Sequence, residues 1–197
     1  MNRIGLNQGT SGNLSARLES GFLVTPSGLP YESMTADDVV LLSWDGDHEP
    51  GERPSSEWRF HRDILAKRPE AGAVLHVHAM FATVLACLGL GIPAFHYMVA
   101  VAGGADIRCA PYATFGSQEL SDHAVRALEG RDACLLANHG LIVLGATPAG
   151  ALDLAREVET LAAQYWRARL IGEPNLLDAA EMDRVLAKFA DYRAGRG

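Results

Sequence analysis

The sequence predicts an α/β fold in which helices cover both faces of a mixed, mainly antiparallel sheet. Strand-like runs come in close pairs, NLSAR (Asn13–Arg17) with GFLVT (Gly21–Thr25), and CLLAN with LIVLG on either side of His139-Gly140. Parallel neighbours need a long crossover, so this spacing excludes a purely parallel βαβ repeat. Helical stretches punctuate the pairs, and 197 residues that are 48% hydrophobic suit one compact core, hence a single domain over residues 1–197.

The elements follow in order. LESG turns the first pair into a hairpin, PSGLPYESM turns again, and Val39 to Ser43 gives a third strand. Asp45 to Pro54 is a polar loop rich in Gly and Pro. It opens a helix reaching about Lys67, with Phe60, Ile64 and Leu65 on one face. AVLHVH (Ala73 to His78) has the β-branched alternation of a buried strand, and Ala79 to Leu90 reads as a helix packed on it. A short strand at Ile107 to Cys109 precedes a helix over Ser117 to Leu128, with Ser117 as its cap. After the second strand pair, Ala149 to Ile171 and Ala179 to Tyr192 close the chain as helices.

Composition narrows the function classes. A net charge of −7 without a local Lys/Arg cluster repels nucleic acid and anionic membranes. The longest apolar run, Ala79 to Ile92, is broken by Thr83 and Gly89 and falls short of the roughly 18–20 residues that a bilayer crossing needs. MNRIGLNQGT lacks the apolar core of a secretory signal, so the expected compartment is the cytoplasm. Cys87, Cys109 and Cys134, far apart and without CxxC spacing, fit a reducing compartment and read as small core residues.

Three features carry chemistry. In His76-Val77-His78 the two-residue period of a strand puts both imidazoles on one face, as two metal ligands require, although a satisfied buried pair would look the same. His139, beside Gly140 at a strand end, could supply a third nitrogen and leave an open coordination position. Glu57, in PSSEWRFH, is either a fourth ligand, a base, or an ordinary first-turn helix acid favoured by the macrodipole. NQGTSGN, TPSG and the Ser55-Ser56 pair combine glycines and hydroxyls whose N–H and O–H groups can converge on an anion without a cation, although each alone also reads as a turn or cap.

Taken in order, NQGTSGN, LVTPSGLPYE, PSSEWRFH, AVLHVHA, IPAFHYM, AGG, CAPYATFG and ANHGLI resemble the class II aldolase/adducin family, and the likeness runs from Gly5 to about Tyr192. The resemblance is greatest to the branch that cleaves L-fuculose 1-phosphate. It implies one zinc ion per subunit on His76, His78 and His139, with Glu57 as the acid/base residue that can also approach the metal. It implies a substrate phosphate at Thr10, Gly12, Asn13, Ser27, Gly28, Ser55 and Ser56, and an aldehyde end near Phe115 and Tyr192. Tyr97 is expected to reach the site of a neighbouring subunit in a homotetramer.

The implied reaction is retro-aldol cleavage of a deoxyketose 1-phosphate to dihydroxyacetone phosphate and L-lactaldehyde, with zinc stabilising the charge released as C3–C4 breaks. Alternatives are another ketose 1-phosphate such as 5-deoxyribulose 1-phosphate, or L-ribulose-5-phosphate 4-epimerase, which typically has aspartate where Glu57 stands. A non-catalytic adducin-like module lacks the metal ligands, so retention of His76, His78, His139 and Glu57 argues against it. The family pattern also has an amphipathic helix ahead of GLNQGT, where only Met1 to Ile4 stand here. Either the start codon lies further upstream or a packing helix is lost and apolar surface is uncovered. His48 and His123 are expected at the surface, and His61 and His96, although inside matching blocks, have no assigned chemistry.

Overall fold

A computed structural model describes residues 1–193 and 195. Seven strands form one sheet in the order β3-β2-β1-β4-β7-β6-β5. They are β1 (Asn13–Arg17), β2 (Gly21–Val24), β3 (Val40–Ser43), β4 (Ala73–Val77), β5 (Arg108–Ala110), β6 (Ala133–Leu136) and β7 (Gly140–Gly145). Every pairing is antiparallel except β5 with β6. That parallel pair has the long crossover it needs, helix α3 (Gln118–Ala127).

Helices lie on both faces. The strand period sends Val74 of β4 toward α1 (Trp58–Lys67) and α3, while Leu75 and Val77 join the core beneath α2 (Met80–Cys87) and α4 (Pro148–Ile171). Helix α5 (Ala179–Arg193) adds Met182 to this second core. β4 is central and buried along its whole length, which explains why every residue but His76 is apolar. Among the described residues no helix is long and apolar enough to cross a membrane.

Local chemistry fixes the helix ends. Ser117 Oγ accepts from Leu120 N at 3.1 Å to start α3, and Thr147 Oγ1 accepts from Gly150 N at 3.1 Å ahead of Pro148 to start α4. Helix α2 begins after Ala79, which has no capping side chain. Its free N–H groups are taken instead by Glu159 of α4, which accepts from Phe81 N at 2.8 Å and Ala82 N at 2.9 Å.

The structure corrects two expectations and adds one element. Cys134 is buried, but Cys87 ends α2 on its outer side and is exposed, and Cys109 is only half-buried. His48 is exposed as expected, whereas His123 is half-buried, with Nδ1 3.1 Å from the Pro111 carbonyl. A 3-10 helix at Tyr97–Ala102 has no counterpart among the sequence expectations; His96 caps it, accepting from Met98 N at 3.2 Å.

Candidate active site

The site forms where β4 ends. His76 lies on β4, His78 directly follows it, and His139 occupies the turn from β6 into β7, which pairs with β4. The approach depends on Gly140: a Cβ there would stand 2.6 Å from the Val77 carbonyl oxygen and 3.1 Å from His78 Cδ2. Asn138, the only described non-glycine residue with positive φ, makes the turn tight at φ 55°. One ligand atom from each of the three histidines lies within 4.8 Å of the others, a group that could hold a metal ion.

The donor set fits such an ion. The Leu141 carbonyl lies 3.0 Å from His76 Nδ1 and holds the proton there, so the Nε2 lone pair faces the site. Two ligands bound at about 2.0–2.1 Å to a tetrahedral ion stand about 3.3 Å apart. Here His76 Nε2 and His78 Nε2 are 3.1 Å apart, while Glu57 lies 3.4 Å from His76 Nε2 through Oε2 and 3.3 Å from His139 Nε2 through Oε1. Glu57 Oε1 is buried and has no hydrogen-bond partner. Burial lowers the His76 pKa to about 3, with His78 adding to the effect, and burial with His76 lowers His139 to about 4. His78 is lowered too, against an opposing pull from Glu57. Neutral imidazoles are the form that binds metal.

Glu57 occupies the N-cap position of α1 rather than its first turn, and its side chain makes no capping bond. Its carboxylate turns into the site, where Oε2 accepts from Asn13 Nδ2 at 2.9 Å. Asn13 stands opposite His76 in the β1–β4 register, and its Oδ1 lies 2.6 Å from His61 Nε2. His61 Nδ1 in turn lies 2.7 Å from Ser15 Oγ. Asn7, which sequence reasoning missed, joins the metal site to the neighbouring loop: its Oδ1 accepts from His78 N at 3.1 Å, and its Nδ2 donates to the Ser11 carbonyl.

A cavity of about 310 Å³ opens beside the histidines. Thr10, Gly12, Asn13, Ser27, Gly28, Ser55 and Ser56, the residues expected around a phosphate, all line it, together with Glu57 and Phe115. Gly12 is demanded by space and conformation alike, since it has φ +72° and a Cβ would come 2.8 Å from the His76 carbonyl oxygen. Tyr31 secures this loop by donating to the Gly12 carbonyl at 2.6 Å, and burial raises its pKa to about 12. Ser11, Tyr112 and Asn138 also line the cavity, and only their places within matching motifs hinted at them. Tyr97 and Tyr192 line a different cavity, between the 3-10 helix and α5, so a single chain does not bring them to the histidines.

Comparisons with known proteins agree with this geometry. The family model described as Class II Aldolase and Adducin N-terminal domain matches residues 1–166. A 5-methylthioribulose-1-phosphate/5-deoxyribulose-1-phosphate aldolase of Rhodospirillum rubrum is 59% identical over 189 residues, covering 96% of this chain and 86% of the relative. An L-fuculose phosphate aldolase of Escherichia coli is 50% identical over 193 residues, covering 98% of this chain and 90% of the relative. A solved L-fuculose 1-phosphate aldolase superposes with a TM-score of 0.91 at 41% identity, over 95% of this chain and 90% of that one. With these matches over the very residues that build the site, the chain belongs to the class II aldolase family.

Proposed function

We propose that this chain is a zinc-dependent aldolase that reversibly cleaves a deoxyketose 1-phosphate between C3 and C4, giving dihydroxyacetone phosphate and an aldehyde. The observation that carries the reading is the Glu57 carboxylate, 3.4 Å from His76 and 3.3 Å from His139, facing a cavity walled by neutral hydrogen-bond donors. His76, His78 and His139 would hold one zinc ion per subunit. When bound, the ion supplies Lewis-acid stabilisation of the negative charge that develops on the substrate oxygens.

The chain's own residues divide the remaining work. Thr10, Gly12, Asn13, Ser27, Gly28, Ser55 and Ser56 bind the phosphate and fix the C3 carbon beside Glu57. Glu57 delivers a proton to C3 in cleavage and removes it in synthesis. Tyr97 from a neighbouring subunit exchanges the proton of the C4 oxygen, and Phe115 and Tyr192 flank the aldehyde end. This requires a homotetramer with sites at subunit interfaces, and the 51% exposure of Tyr97, outside its own chain's site cavity, supports it. The whole chain then acts as one catalytic domain, in the cytoplasm.

L-fuculose 1-phosphate would yield L-lactaldehyde. 5-Deoxyribulose 1-phosphate would yield acetaldehyde, and the 59% identity to the Rhodospirillum rubrum aldolase favours this second substrate. The test is release of dihydroxyacetone phosphate from each, with L-ribulose 5-phosphate alongside, before and after chelation and zinc replenishment. Zinc-restored release supports the aldolase, and the better substrate names it. Bound zinc without release points to an epimerase, and no zinc binding to a non-catalytic module. Glu57→Gln should keep the metal and lose turnover; near-normal turnover would return Glu57 to a structural role.

A further inference from the structure

We propose that His61 is a positioning residue for this reaction, holding the Asn13 amide in the one orientation that anchors the Glu57 carboxylate by Oε2. The inference rests on the reading of Glu57 as the acid/base group. Its ground is a buried line of hydrogen bonds running Ser15–His61–Asn13–Glu57, with separations of 2.7, 2.6 and 2.9 Å.

The direction of each bond follows from donor and acceptor inventory. A carboxylate only accepts, so the Asn13 atom facing Glu57 is Nδ2 and the atom facing His61 is Oδ1. Oδ1 only accepts, so His61 carries its proton on Nε2. His61 Nδ1 is then an acceptor, and Ser15 Oγ–H is the donor that fixes this tautomer. Flipping the Asn13 amide would set Oδ1 against the carboxylate and Nδ2 against the His61 N–H, losing two bonds at once.

Water cannot substitute for these partners. Ser15 and His61 are 0% exposed, Asn13 4% and Glu57 6%, and the Phe60 ring lies 4.6 Å from the imidazole. Burial also holds the His61 pKa well below its ordinary value, so the ring stays neutral with one donor and one acceptor, as the line requires. His61 touches neither the cavity nor the converging histidine nitrogens, and acts only through Asn13.

Two substitutions separate positioning from bulk. In His61→Gln the amide nitrogen falls near the place of Nε2 and still donates to Asn13, whereas in His61→Asn it falls near Nδ1 and cannot. Zinc content, melting temperature, KM for dihydroxyacetone phosphate and the rate of solvent-deuterium exchange at its C3 should be measured for both. The expected result is a loss of exchange and of cleavage kcat on the order of 10–100-fold in His61→Asn, larger than any change in KM and with zinc unchanged, and recovery to within a few-fold in His61→Gln. Equal losses in both variants alongside a lowered melting temperature would make His61 a packing residue only, and wild-type exchange in His61→Asn would overturn the proposal outright. Nitrogen-15 NMR of the purified protein supplies a readout apart from activity: the Nε2–H tautomer of His61 is expected, and an Nδ1–H tautomer would reverse the line and refute it. Glu57→Gln run in parallel separates the two ideas. Retained exchange there removes the base itself, while its loss beside a fully active His61→Asn removes only the positioning.

Discussion

Replacing Gly140 with Ala should damage the metal site without touching a ligand. Gly140 does not have positive φ, so a methyl group adds no backbone strain of its own, and the effect is steric. The new Cβ would stand 2.6 Å from the Val77 carbonyl oxygen, against ordinary contact from 3.4 Å, a shortfall of about 0.8 Å. That oxygen belongs to the backbone of the central strand and cannot swing aside. The same Cβ would press on His78 Cδ2 at 3.1 Å and His76 Cε1 at 3.3 Å, so relief must come by moving β7 away from β4 or by turning the imidazoles. Constellations of this kind tolerate about 0.5 Å of displacement. The expected cost is about 1–3 kcal/mol of stability, at about 2–4 °C of melting temperature per kcal/mol, with zinc affinity weakened about 10–100-fold. Thermal unfolding of the metal-free protein and zinc titration against a chromogenic chelator read the two effects separately. A Gly140→Ala protein that melts and binds zinc like the wild type would refute the claim that this glycine allows the histidines to converge.

Other consequences can be tested more briefly. Glu159→Ala strands the Phe81 and Ala82 N–H groups at the start of α2 and should cost about 1–3 kcal/mol in urea unfolding, with Glu159→Gln recovering part of it. His76 and His139 have pKa values lowered from 6.5 to about 3 and about 4, so below pH 6.5 the unfolded chain binds protons that the metal-free fold does not. Metal-free stability should therefore be full above pH 6.5 and decline as pH falls toward 4; urea midpoints that stay flat over that window would contradict the burial of these rings. Tyr97→Phe should slow carbon–carbon cleavage more than C3 proton exchange, and equal slowing of both would remove its assigned role.

Much of the architecture was legible because local pattern and tertiary demand agree. The hairpin, the buried strand ahead of His78 and the helix behind Ser117 needed only alternation, helical periodicity and a capping hydroxyl. Boundaries moved where backbone geometry decided them, as at Glu57, whose place just before α1 frees its carboxylate from the helix. The 3-10 helix at Tyr97–Ala102 was not legible: YMVAVA is uniformly apolar, and its cap is a histidine rather than a hydroxyl. Within the site, the histidine pair was readable from strand period, but the contact between Asn13 and His61 joins residues 48 positions apart and exists only once β1 and α1 pack. The four-residue interval from Glu57 to His61 was the one local sign that the two share a side of the same segment. Tyr97 and Tyr192 lie outside the histidine cavity because one chain does not contain every surface that the resemblance assigns to the site.

The open sheet ends in two short strands, and the start of β5 is further covered by an antiparallel bridge between Ile92 and Ile107. β3 has four residues and β5 three, and β5 carries Arg108, whose guanidinium donates to the Ala127 and Glu129 carbonyls. An unpaired strand is a template on which a foreign chain can add itself, and the length of the template limits how firmly the addition holds. With three or four residues at each margin and a charge at one of them, the folded protein offers little purchase for such growth. The most deeply buried strands, β4 and β7, which would be the hazardous ones, are enclosed on both sides by their neighbours. An enzyme of this design should withstand crowded, concentrated conditions while folded, and its exposure to aggregation should track the rate at which the whole sheet opens.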